Sequence, residues 1–277
     1  MGIFDRSRSY TIKARSNGKY VCREDDGLKA NRDYAAAWER FKIQNGRVID
    51  RKNASWLRTD LDGLSSNLSR HTSFAIERVD RIGWSFRTGT SRYGPISGKR
   101  YVVAEPSGVM ACNRTAVGPW ETFDLERMPN ATNDTNYILE ERDFSLRGRA
   151  GYMCAQPDGS LVANRSMRGP WESFIVTGGD AVVYYGRTIA LMGVWLMFVG
   201  AYPDGRTDAE GFGVSDWQQW VLVNPDDPSS TAAIPNAGKV AIRSVTHGKY
   251  MYGPMDGSVR TTAGAIGAGE IWTIENF

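Results

Sequence analysis

Few side chains in this sequence are of a type and spacing that could do chemistry. Two histidines, His71 and His247, are the only imidazoles in 277 residues, and neither has a second His, a Cys or a Glu at metal-ligand spacing. There is no Gly-x-Ser-x-Gly elbow and no P-loop, and "GAIGAGE" from Gly264 is glycine-rich without the spacing or βαβ context of a dinucleotide site. The one carboxylate pair that invites acid–base chemistry is Glu121 and Glu172, each following a tryptophan in Gly-Pro-Trp-Glu-x-Phe. Acid–base work needs two carboxylates in unlike surroundings. Repetition places these two in equivalent surroundings, so a loop-capping role is the expectation. The chain reads as non-catalytic, with no metal and no cofactor. Its cationic residues are the better candidates for function. Lys19, Lys99, Arg100 and Lys249 sit at a turn entering a strand, and Arg32, Arg114 and Arg165 sit at a strand end, where side chains usually face solvent. They suit an acidic partner, while a net charge of +3 is too small to suggest nucleic acid.

The elements that carry these residues are repeats. "SGVMACNRTAVGPWETFDL" from Ser107 and "DGSLVANRSMRGPWESFIV" from Asp158 are near copies. "NGKYVCREDDGLKANRDYAAAWERF" from Asn17 and "HGKYMYGPMDGSVRTTAGAIGAGEIWTIENF" from His247 keep the same landmarks, and weaker copies begin near Ala54 and Val194. The turn glycines are Gly27, Gly63, Gly108, Gly159, Gly205 and Gly257, separated by 36, 45, 51, 46 and 52 residues. Six units with a persistent core and variable loops are expected.

Each unit reads as four short strands. An alternating run such as "YTIKAR" or "KVAIRS" leads through a turn (Asn17-Gly18, His247-Gly248) into a second strand such as "KYVCRE". An Asp-Gly or Ser-Gly reversal follows, because glycine accepts the positive φ of a tight hairpin turn. The third strand is "LVANR" or its equivalent, and Gly-Pro-Trp leads into the fourth. Short strands with frequent turn signals indicate an all-β barrel or sandwich, and "YAAAWERF" at 34–41 aligns as loop plus strand rather than helix. Trp38, Trp120, Trp171 and Trp272, with Phe41, Phe123 and Phe174, recur once per unit and are expected in the core. "DWQQW", with Trp217 and Trp220, has the Gln-x-Trp look of ricin-type sugar-binding units, but in one unit only.

The recurrent set Gly-Lys-Tyr, Asp-Gly, Ala-Asn-Arg and Gly-Pro-Trp-Glu-x-Phe resembles the β-trefoil units of the fascin family of actin cross-linkers. The propeller signature of Gly-His and Trp-Asp does not recur. The resemblance implies two tandem β-trefoils built from six four-stranded repeats, with three units closing one barrel. It also implies a non-catalytic protein that binds or cross-links filamentous actin through the basic residues named above. The fascin pattern joins four trefoils, where this chain has length for two. A multivalent carbohydrate-binding lectin is the alternative, and a fascin-like module for another protein partner is a third.

A boundary is expected in "RMPNATNDTNY" from Arg127 to Tyr137, polar and proline-containing, which leaves domains at 1–130 and 135–277. Hydrophobic content of 41% and charged content of 23% suit a globular protein. The opening residues hold no apolar signal-peptide core, and "IALMGVWLMFVGAY" from Ile189 is too short for a membrane span and suits a core hairpin. A cytoplasmic location is therefore expected. Cys22, Cys112 and Cys154 occupy no disulfide framework. The glycosylation patterns at Asn53, Asn67, Asn113, Asn130, Asn133 and Asn164 carry little weight in that setting.

Overall fold

A computed structural model describes residues 9–24, 27–36, 39–44, 47–49, 74–88, 100–128, 136–140, 142–177 and 182–277. The regular structure among them is β-strand with short 3₁₀ turns. The chain divides into two compact units, Met1–Met128 and Pro129–Phe277. The first carries β1 (Tyr10–Ala14), β2 (Tyr20–Glu24), β3 (Gly27–Arg32), β4 (Lys42–Gln44), β5 (Arg47–Ile49), β6 (Phe74–Arg78), β7 (Gly83–Thr88), β8 (Tyr101–Ala104), β9 (Met110–Arg114) and β10 (Phe123–Arg127). The second carries β11 (Phe144–Arg147), β12 (Tyr152–Ala155), β13 (Leu161–Arg165), β14 (Phe174–Thr177), β15 (Thr188–Gly193), β16 (Phe198–Ala201), β17 (Thr207–Gly211), β18 (Trp220–Val223), β19 (Gly238–Ser244), β20 (Tyr250–Tyr252), β21 (Arg260–Ala263) and β22 (Ile271–Asn276). The protein is all-β, and each unit is a barrel-like sheet. None of the described helices is long and apolar enough to cross a membrane.

In the second unit the pairing closes on itself. β11 pairs with β14, β14 with β15, β15 with β18, β18 with β19, β19 with β22, and β22 returns to β11, all antiparallel. A closed ring leaves these six strands without a bare edge. Apolar residues alternate inward along them, as a barrel wall requires: Phe144 and Leu146, Trp220 and Leu222, Val240 and Ile242, Trp272 and Ile274 are all buried. The buried indoles find acceptors, Trp220 Nε1 donating to the Val199 carbonyl at 2.8 Å and Trp272 Nε1 to that of Met251 at 3.2 Å.

Three hairpins, β12–β13, β16–β17 and β20–β21, extend from the ring, and their turns lock cyclically. Ala163 N donates to the Gly257 carbonyl at 2.7 Å, Ala209 N to Gly159 at 2.8 Å, and Thr261 N to Gly205 at 2.9 Å. Those glycines have φ of +86° (Gly159), +85° (Gly205) and +79° (Gly257), a region other residues enter at a cost. A Cβ at Gly257 would also lie 2.7 Å from that of Asn164. The apolar run from Ile189 forms β15 and β16, a buried hairpin of this unit.

In the first unit β1 pairs along its whole length with β10, from Tyr10↔Arg127 to Ala14↔Phe123, and β10 pairs with β7 and β7 with β6. Tyr10 also bridges to Phe41 beside β4, which pairs with β5. The hairpins β2–β3 and β8–β9 meet through Ala30 N donating to the Gly108 carbonyl at 2.8 Å, with Gly108 at φ +90°. Residues 50–73, which hold Gly63 and His71, lie outside the described residues, as do Trp38 and 129–135 of the expected linker. The start of that linker is corrected: β10 continues to Arg127, whose side chain is fully buried.

The tryptophan register is also corrected. Phe41, Phe123 and Phe174 are fully buried, as expected. Trp272 takes the place of these phenylalanines rather than of Trp120 and Trp171, because it follows Glu270 as Phe174 follows Glu172. The tryptophan before the acid belongs to a 3₁₀ turn, Pro119–Glu121 or Pro170–Glu172, and is on the loop rather than in the core. Trp120 is 41% exposed and Trp171 is half-buried against Trp195.

Candidate partner-binding surface

The repeated acid is a loop lock. Glu121 Oε2 accepts the Gly118 N–H at 2.9 Å, Glu172 Oε2 that of Gly169 at 2.7 Å, and Glu270 Oε2 that of Gly267 at 2.7 Å. Glu39 does the same for Ala36 at 2.8 Å, and Gln218 for Ser215 at 3.2 Å. Each carboxylate is buried and returns to its own loop, the reciprocal bond of a capping box. The glycine-rich "GAIGAGE" is one of these loops. His247 lies in the turn between β19 and β20, its backbone N–H donating to Ser244 Oγ at 3.2 Å.

The cations have a second organisation, which runs across three strands. Tyr20 lies opposite Lys13 on one side and Arg32 on the other. Tyr101 lies between Arg87 and Arg114, and Tyr152 between Arg147 and Arg165. Residues opposite one another on antiparallel strands share a face, so each row presents a cation, a tyrosine ring and a second cation. The ring separates like charges and attracts them through its face. Lys13 Nζ lies 5.4 Å from the Tyr20 ring centre, and Arg147 Cζ 5.6 Å from that of Tyr152. The fourth such position holds Arg243, Tyr250 and Ala263, with Lys249 beside the tyrosine. Each hairpin has a register shift just after this aromatic, which bends the strand at the row.

Neighbouring carboxylates neutralise these rows to different degrees. Lys19 pairs with Asp33, and Arg32 with Glu24 at 2.9 Å. Arg87 pairs with Glu77 at 2.6 Å and Arg114 with Glu105 at 2.5 Å. Around Tyr152 the balance is different. Arg165 is 3.9 Å from Glu172, a carboxylate already committed to its loop. Arg168, exposed on that loop, lies 6.0 Å from the Tyr152 ring centre and donates to the Asn276 carbonyl at 2.7 Å. Arg147 and Arg149 are exposed and form no ion pair among the described residues. Gly151 makes this convergence possible, since a Cβ there would be 2.5 Å from the Arg165 carbonyl oxygen. Three arginines, Arg147, Arg165 and Arg168, therefore stand around one tyrosine, whose hydroxyl donates to Glu275 Oε2 at 3.1 Å, the carboxylate 3.8 Å from Arg168.

The sequence-derived residues fall into these rows in part. Lys19 and Arg32 flank Tyr20, Arg100 and Arg114 flank Tyr101, Arg165 stands beside Tyr152, and Lys249 precedes Tyr250. Arg100 and Lys249 are exposed, whereas Lys99 lies outside the described residues. Sequence reasoning missed Lys13, Arg87, Arg147, Arg149, Arg168 and Arg243. A signal was available, because "YTIKA", "WSFRT", "FSLR" and "VAIRS" each place a cation at the end of the unit's first strand.

In the first unit an open groove of about 830 Å³ lies over Cys22, Lys29, Asn31, Arg32, Asp33 and Glu39. Its polar groups satisfy one another: Glu24 Oε1 accepts from Asn31 and from Arg32, both at 2.9 Å. Burial raises the Cys22 thiol above its usual range, which keeps it protonated rather than nucleophilic. No group of three metal-ligating side chains occurs among the described residues. No protein-family model matches the sequence, and no curated protein matches it either.

Proposed function

We propose that the protein is a non-catalytic binding module of two β-trefoils, acting in the cytoplasm, that docks an acidic protein surface, and that the surface is that of filamentous actin. The observation that carries this reading is the cluster of Arg147, Arg165 and Arg168 around Tyr152, three cations against the two carboxylates Glu172 and Glu275, with the exposed Arg149 nearby in the sequence. The fascin-like motifs of the repeats support the same partner. The cyclic locking of three hairpins on a closed ring supports the trefoil assignment. The recurring glutamates Glu121, Glu172 and Glu270 serve as loop locks, which commits them to their own loops. Cross-linking needs two separate filament sites. Each unit carries at least one cation–tyrosine–cation row, so bundling is the expected outcome of binding.

Co-sedimentation tests this directly, at high speed for binding and at low speed for bundling. Binding should weaken as salt rises, because the screening length falls from about 10 Å at 0.1 M to about 3 Å at 1 M. The double charge reversal Arg147→Glu, Arg149→Glu should abolish low-speed pelleting and weaken high-speed pelleting at low salt without lowering the melting temperature, since both side chains are exposed and the rows of the first unit are untouched. Absence of pelleting by the wild-type protein at low salt, or pelleting unchanged in the double variant, overturns the assignment.

A further inference from the structure

The fifth repeat departs from the others. Its row is Met192, Phe198 and Gly211, with no cation, and its charged and aromatic side chains gather beside the same hairpin. Tyr202 and Trp217 stand edge to face with ring centres 5.1 Å apart. The Arg206 guanidinium lies 3.9 Å from the Tyr202 ring centre, pairs with Asp208, and is 3.7 Å from Glu210 Oε2. Asp208 is only 4% exposed, and its Oδ1 has no hydrogen-bond partner among the described residues. A buried carboxylate oxygen without a donor is costly to the fold, and burial holds this carboxyl above its usual range. Trp217 is 41% exposed and the neighbouring Phe212 57%.

Two glycines shape the floor. Gly200 and Gly211 occupy the positions that Cys154 and Arg165 hold in the preceding repeat. A Cβ at Gly200 would lie 2.7 Å from Gln218 Nε2, and one at Gly211 2.9 Å from Gln218 Cγ. Their bareness lets Gln218 lie flat on the hairpin and sets Trp217 at its rim. The corner therefore offers an open aromatic face beside two carboxylates and a guanidinium that is itself half exposed. A purely apolar ligand would strip water from three charged groups and give nothing back. A ligand with an apolar face and several hydroxyls meets every group present.

We propose that this corner is a saccharide-binding site: a pyranose stacks its C–H face on Trp217, its hydroxyls donate to Glu210 and Asp208, and Arg206 donates to a ring or hydroxyl oxygen. Arg206 holds Asp208 Oδ2 and is half exposed, so a hydroxyl entering beside it supplies the donor that Oδ1 lacks. Within the second unit the equivalent position before the acid is Trp171, packed on Trp195, ahead of Glu172 and Gly269 ahead of Glu270. It shares no residue with the arginine cluster around Tyr152.

The test is a glycan array probed with the full-length chain, followed by NMR titration of the best glycan while the Trp217 indole N–H is monitored. Trp217→Ala and Glu210→Gln should each weaken binding about tenfold, the scale of one aromatic or one charged hydrogen-bond contact. The melting temperature should stay unchanged, and so should actin co-sedimentation, which keeps this proposal separable from the actin reading. An array on which the wild-type chain binds nothing overturns the proposal. So does glycan binding that survives Trp217→Ala, or an indole that responds only to apolar peptides.

Discussion

Glu172→Ala isolates the loop lock ahead of β14. In the native protein Glu172 is 7% exposed, Oε2 accepts the Gly169 N–H at 2.7 Å, and Oε1 stands 3.9 Å from Arg165. Truncation leaves that N–H without its acceptor in a largely dry setting. A hydrogen bond to a charged acceptor contributes about 1.5–3 kcal/mol, whereas the half-exposed Arg165 pair adds little after solvent screening. Glu172→Gln keeps an acceptor of the same length and loses only the charge. The turn ahead of β18 already uses this solution, with Gln218 accepting from Ser215 N at 3.2 Å. The expected costs are about 2–3 kcal/mol for the alanine and about 1 kcal/mol for the glutamine. For a unit of this size each kcal/mol moves the melting point by about 2–4 °C. Calorimetry should then record a fall of about 4–12 °C for Glu172→Ala and about 2–4 °C for Glu172→Gln. The mechanism is wrong if the alanine variant melts within about 1 °C of wild type, or if glutamine is as damaging as alanine.

Trp272→Ala should cost about 3–5 kcal/mol in chemical melts, as deletion of a fully buried aromatic does, while Trp120→Ala should stay within about 0.5 kcal/mol; equal effects would mean that the two tryptophans share one environment after all. Burial pushes the Cys112 and Cys154 thiols up to about 12, and both are buried. A thiol reagent at pH 8 should therefore leave them unlabelled until the chain is unfolded, and fast labelling of either in the native protein would contradict this. Their raised values act as a linkage term: the stability they contribute is fully present below the ordinary thiol value of about 8.5 and is lost as pH climbs from there towards 12.

Much of the local architecture was legible in the residues. Asp-Gly and Ser-Gly pairs marked the hairpin turns, and Gly108, Gly159, Gly205 and Gly257 adopt the positive φ that such turns require. The loop-capping role expected of Glu121 and Glu172 is the role they perform, because the spacing of a capping box is three residues and needs no distant partner. Lys19, Arg32, Arg114 and Arg165 were found because they recur beside recurring turns. Lys13, Arg87 and Arg147 were not, although they stand on the same rows, because they lie one strand away from the motif that drew attention.

By itself, then, the sequence determined the all-β class, the turns and the loop locks, since each depends on residues within a few positions of one another. The tertiary structure alone decided the rest. Phe144 pairs with Asn276 across the ring, and no local pattern names that partner. Arg127 reads as the start of a polar linker, yet pairing with Tyr10 at the far end of the unit buries it. Trp272 reads as a copy of Trp120, but two residues of register separate a buried core side chain from an exposed loop one. Side chains alternate faces along a strand, so which of them meet is set by long-range register, and that is chosen by the packing of the whole barrel.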